Sequence, residues 1–152
     1  MHMYDIEEVI KHRKPMRLVD KLISFNEISA CVLVNITENS EFYQTEQQGV
    51  PSYIGIEYMA QSIAAQAGAI ELANGKSIRL GFLLGSRKYK PNVAYFQRGV
   101  RLQVKVEKLL VDAAGLSVFD CTIVAEEQQE VILAQAKVNV YQPEDSAEYV
   151  NK

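Results

Sequence analysis

The chain has 152 residues, 48% of them hydrophobic and 23% charged, and a formal net charge of -3. That length suits one domain with a substantial apolar core, and the composition excludes a disordered chain. With 16 basic against 19 acidic side chains there is no counterion-release drive toward DNA or RNA, so a nucleic-acid ligand is not expected.

Residues 1–8 are acidic where a secretion signal would be basic, and no apolar segment follows, which predicts a cytoplasmic protein. Residues 5–10 read as a short amphipathic turn. Two apolar runs between Met16 and Ile36, separated by Ser24-Phe25-Asn26-Glu27, predict a hairpin. Its second arm puts Ala30, Val32, Val34 and Ile36 on one face and Cys31, Leu33 and Asn35 on the other. A loop spans Thr37 to Pro51. From Ser52 to Ala73 runs one long helix, rich in Ala, Met, Gln, Glu and Ile and ending at Asn74-Gly75. Its charge-poor part, Tyr53 to Ile70, still contains Glu57, Gln61, Ser62 and Gln66, as a buried helix would and a membrane-inserted one would not. The small residues Ala60, Ala64, Ala65, Ala67, Gly68 and Ala69 allow neighbours to approach on more than one side, so a sheet is expected to wrap it.

Strands are predicted at Ile78 to Gly85, Gly99 to Val111 and Leu116 to Ala125, with turns at Ala113-Ala114-Gly115 and Glu127-Gln128-Gln129. The last strand places Ile132, Ala134, Ala136, Val138 and Val140 on one face against Gln135, Lys137 and Asn139. The order β, β, long helix, then four further strands predicts an α+β domain over residues 1–152, with a core at about 5–141 and a polar tail at 143–152. Cys31 and Cys121 have no second Cys or His at metal spacing and read as reduced core residues; no metal or redox cofactor is indicated.

The run His12-Arg13-Lys14-Pro15-Met16-Arg17-Leu18-Val19-Asp20, then Phe42-Tyr43-Gln44, then Gly55-Ile56-Glu57-Tyr58-Met59-Ala60-Gln61 resembles the bacterial FabZ-type 3-hydroxyacyl-acyl-carrier-protein dehydratases in order and spacing. Gly81 to Pro91 is similar to the strand and basic turn of that family. Gly49 to Gln61 resembles still more the dehydratase-like ApeP group of aryl polyene gene clusters. The resemblance implies a hotdog fold, a long central helix wrapped by one antiparallel sheet. It also implies an acyl thioester substrate on acyl-carrier protein or coenzyme A, and a homodimer or a heterodimer with a related dehydratase.

The family pairs a loop histidine, as base, with an acidic residue on the helix, as acid. Glu57 matches the acid. The loop Thr45-Glu46-Gln47-Gln48-Gly49-Val50 is shortened and carries no histidine, and only His2 and His12 occur in the chain. His12 matches a family histidine that is not the base, so the base has no counterpart here.

Several residues carry two readings. Burial at the helix start would disfavour a charged Glu57 and suit a proton donor, whereas the helix macrodipole would welcome an ordinary solvated carboxylate there. The amides of Tyr53, Ile54 and Gly55 open the helix and could polarise a thioester carbonyl, though every helix start has such amides and Gly55 could serve packing alone. Gln61, four residues after Glu57, could hold its carboxyl or be an ordinary interior amide. Gly81 and Phe82 count with the substrate-binding residues through the resemblance. Tyr43 and Tyr58 are phenols near the site, more simply read as packing. Arg79, Arg87, Lys88, Lys90, Arg98 and Arg101 concentrate positive charge, with Arg87, Lys88 and Lys90 as the candidate carrier-protein contacts, or else a solvated strand edge.

Three functions remain open: dehydration of a 3-hydroxyacyl thioester to the trans-2-enoyl thioester in fatty-acid-like or aryl polyene biosynthesis, with a base from elsewhere; thioester hydrolysis using Glu57; and a non-catalytic subunit that pairs with an active dehydratase.

Overall fold

The computed structural model describes residues 3–78 and 82–141, so the expected tail at 143–152 lies outside the described residues. A short helix, α1 (Ile6–Val9), opens with the Asp5 N–H donating to the Glu8 carboxylate at 3.0 Å. β1 (Lys21–Phe25) and β2 (Ser29–Asn35) form the expected hairpin. The Asn26 side-chain oxygen shapes its turn by accepting the Ile28 and Ser29 N–H groups, both at 2.9 Å.

β3 (Gly49–Pro51) leads into a 3-10 turn at Ser52–Ile54 and then into the long helix, α2 (Gly55–Ala73). The helix ends at Asn74 and at Gly75, whose φ of 74° is the left-handed exit. Beyond it lie β4 (Phe82–Pro91), β5 (Tyr95–Gln97), β6 (Arg101–Val111), β7 (Leu116–Ala125) and β8 (Gln128–Tyr141). Six strands make one antiparallel sheet in the order β1-β2-β6-β7-β8-β4, and β3 pairs with β5 in a separate two-stranded ribbon.

The sheet packs one face on α2. Val32, Val34, Leu102, Val104, Ile123, Ala134 and Val138 are buried there, with Ala65 and Ala69 of the helix against them. Gly68 faces α1: a Cβ at this position would stand 1.9 Å from the Val9 carbonyl oxygen, so the small side chain is what lets α1 lie on the helix. None of the helices is long and apolar enough to cross a membrane among the described residues.

Three strand expectations need correction. β4, described from Phe82 to Pro91, continues well past the expected end at Gly85, and residues 79–81 of the expected run lie outside the described residues. It is an edge strand whose outward residues are basic, and that half of it read as a turn. Ile132 is 37% exposed instead of sharing the buried face, because the β7–β8 register slips between Ile123↔Ala134 and Val124↔Ile132, and a one-residue slip reverses which side faces the core. Cys31 is half-buried where a core position was expected, while Cys121 is fully buried; burial pushes its thiol up to about 12.

Candidate active site at the start of the long helix

Glu57 lies in the first turn of α2 and is half-buried. Its carboxyl Oε1 accepts from Gln61 Nε2 at 3.2 Å, the i to i+4 contact that one helical turn permits. Gln61 is only 1% exposed and does more: it donates to Met16 O and accepts the Leu18 N–H, both at 2.8 Å. The amide is thus a clamp between the helix and the strap preceding β1, with the Glu57 carboxyl as its third partner. Further along, Gln66 Nε2 donates to Asn26 O and Glu27 O and ties the helix to the β1–β2 turn.

The backbone at the helix start is more fully engaged than an ordinary helix end. The Ser52 N–H donates to Ala94 O at 2.9 Å, and the Gly55 N–H donates to Ser52 O. In a 3-10 turn each amide looks back three residues, which also directs the Ile54 N–H to Pro51. Of the three amides considered as thioester donors, Tyr53 alone keeps its N–H outside these turns, and its side chain is 65% exposed. Gly55 has a packing role as well: a Cβ there would meet the Tyr89 hydroxyl at 2.2 Å and the Ile123 and Phe96 side chains at 3.1 Å.

The short loop ahead of the helix is closed on itself. Gln44 and Gly49 bridge, with the Gln44 N–H donating to Gly49 O at 2.9 Å, and Gln48 takes a left-handed φ of 52°. β3 then runs against β5, so tightly that a Cβ on Gly49 would stand 2.6 Å from Phe96 O. Tyr43 packs half-buried on the core. Tyr58 is 2% exposed, its ring 5.9 Å from that of Phe96; burial, and then the Asp20 carboxylate, raise its phenol and keep its proton on. His12, the one histidine among the described residues, is half-buried in the segment before β1.

The basic group divides. Lys88 and Lys90 are exposed on the outer face of β4 and, with Lys137, Asp120, Gln135 and Ala136, border a cavity of about 380 Å³; Lys137 and Asp120 stand 3.6 Å apart. Arg98 instead pairs with Glu38 at 3.9 Å and Arg101 with Glu126 at 2.6 Å, away from that cavity. Gly81, Arg79 and the side chains of Phe82 and Arg87 lie outside the described residues. Lys137 and Tyr89 were not singled out from the sequence. The alternation of Lys88 and Lys90 around an aromatic residue was the available signal for Tyr89, once β4 is read as a strand.

Comparison with known proteins narrows the chemistry. The sequence pattern of the ApeP-like family, described as ApeP dehydratase, matches residues 4–151. The 3-hydroxyacyl-acyl-carrier-protein dehydratase FabZ of Chlamydia trachomatis is 32% identical over 124 residues, 76% of this chain and 77% of that protein. The dehydratase heterocomplex ApeI:P from Xenorhabdus doucetiae contains a chain of similar structure, with TM-score 0.84, 23% identity, and 99% of this chain and 100% of that one covered. A hypothetical thioesterase from Streptococcus pneumoniae, solved with coenzyme A, is similar at TM-score 0.62 and 11% identity over 80% of this chain and 84% of its own. The two solved structures share with this chain the hotdog fold, one long helix packed against a large antiparallel sheet.

Proposed function

The chain belongs to the ApeP-like dehydratase family, and from that premise we propose that it takes part in dehydrating a 3-hydroxyacyl thioester carried on acyl-carrier protein. Glu57 supplies the acid, and a companion subunit supplies the base. The observation that carries this reading is the Glu57 carboxyl held by Gln61 at 3.2 Å at the head of a buried helix, beside a loop with no histidine.

The reaction needs two proton transfers. A base removes the proton on C2, the electron pair forms the C2=C3 double bond, and the C3 hydroxyl departs with a proton from an acid as water. A carboxyl fixed by one amide can perform the second transfer. His12, the one histidine among the described residues, lies in the segment before β1 and matches no base of the family, so the first transfer is assigned to another chain. A heterodimer with a related dehydratase that keeps the loop histidine meets this need; β1 and β4 are the two edges of the sheet, and pairing is assigned to β4, the edge whose Tyr89 reaches the start of α2. Lys88, Lys90 and Lys137 suit an acidic carrier and the phosphate of its prosthetic arm.

The test is mass spectrometry of a 3-hydroxyacyl-carrier protein incubated with this chain alone, with a histidine-bearing companion, and with the pair carrying Glu57→Gln. The proposal expects loss of one water only in the mixture, reduced at least about 100-fold in the variant. Loss of water with this chain alone would place the base within it. Release of free thiol would instead make Glu57 a hydrolytic residue.

A further inference from the structure

β4 is irregular where it passes the start of α2. Its register against β8 slips between Arg87↔Lys137 and Lys90↔Gln135, so Lys88 and Tyr89 together oppose the single residue Ala136. Lys88 sits at φ 54°, in the left-handed region that a lysine rarely adopts. A bulge of this kind re-aims the side chains beside it, and such backbone strain persists where the surroundings over-determine it.

Here the re-aimed side chain is Tyr89. Its neighbours Lys88 and Lys90 are exposed, whereas Tyr89 is half-buried against the core. Its hydroxyl donates to Ser52 O at 2.5 Å and fills the space that a side chain on Gly55 would need. Burial pushes the phenol up to about 12, so the donated proton is present throughout the neutral range. Ser52 O also accepts the Gly55 N–H, and the Ser52 N–H reaches Ala94 O, which leaves this one residue tied through its backbone to β4, to its own helix and to the segment before β5.

We propose that Tyr89 is a positioning residue of the site: its hydroxyl, brought onto Ser52 by the β4 bulge, sets the place of the first turn of α2 and hence of the Glu57 carboxyl. The helix is then held from two sides, by Tyr89 from the sheet edge and by Gln61 from the Met16–Leu18 strap. Because β4 is also the edge at which a companion would pair, the same contact links docking at the edge to the geometry of the acid. The inference rests on the reading of Glu57 as the acid.

Tyr89→Phe keeps the ring and removes only the donor. In the full-length chain, amide hydrogen exchange should quicken over residues 53–57 and stay unchanged over 68–74. In the assay above, with companion, kcat should fall about 10- to 100-fold with KM within about 2-fold, since an acid displaced by a fraction of an ångström loses its approach rather than its binding. Unchanged exchange at 53–57, or equal quickening along the whole helix, would overturn the positioning role. Local quickening with an unaltered kcat would show that Glu57 does not depend on it. Local quickening in a chain whose wild type yields no enoyl product under any condition would leave the anchor standing and remove the dehydratase reading instead.

Discussion

Replacing Gln61 with Leu separates the structural part of the site from the chemical part. The new side chain fits the same volume but takes the acceptor from the Leu18 N–H, the donor from Met16 O and the donor from the Glu57 carboxyl. A buried backbone group left without its partner costs about 1–3 kcal/mol. The strap is only partly buried, so its two groups together come to about 3 kcal/mol. In a chain of 152 residues each kcal/mol corresponds to about 3 °C, which predicts a melting temperature lower by about 9 °C. Glu57→Gln keeps an oxygen for Gln61 to donate to and should shift the melting temperature by less than about 3 °C while abolishing the acid. Thermal melts of both variants followed by circular dichroism provide the comparison. A Gln61→Leu protein melting within about 3 °C of wild type would refute the assignment of Gln61 as the clamp of the strap.

Gly68→Ala should force α1 off the helix, because the added Cβ meets the Val9 carbonyl at 1.9 Å; a loss of about 1–3 kcal/mol and faster proteolysis near residues 6–9 are expected. Cys121, whose thiol is raised from 9.0 to about 12, stays protonated in the folded chain while an unfolded chain ionises. Its contribution is therefore complete below about pH 9 and is lost as pH rises toward 12, so melts at pH 8, 9.5 and 11 should show falling stability, less steeply in Cys121→Ala. Charge reversal at Lys90 should raise KM for a carrier-bound substrate several-fold, more at low salt, with kcat unchanged; an unaltered KM would disconnect the outer basic cavity from carrier docking.

The parts legible in the sequence are those with a sustained period. Alternation marked β2, β6 and most of β8, and the run to Asn74-Gly75 marked α2 together with the turn that brings Gln61 under Glu57. The ribbon of β3 and β5 was not legible, because three-residue strands carry no period and Gly49 meets Gln97 only through the closed fold. Nor was the true course of β4: an edge strand shows its polar side to solvent, and a bulge breaks the alternation within it. The basic residues looked like one group because they are close in the chain, yet Arg98 and Arg101 are drawn to Glu38 and Glu126 by pairings that only the folded chain reveals. Tyr53, Ile54 and Gly55 looked equivalent as amides until the 3-10 turn used two of them.

The Gln44–Gly49 closure and the ribbon behind it bear on how such a chain changes over generations. A residue type can be exchanged by one mutation, but this loop is closed by the Gln44–Gly49 bridge and lies at its end against Phe96, so a base placed in it has to be accommodated beside the β3–β5 pair. On the proposed division of labour two gene products are inherited as a pair, and selection can refine each half-site without preserving a complete one in either.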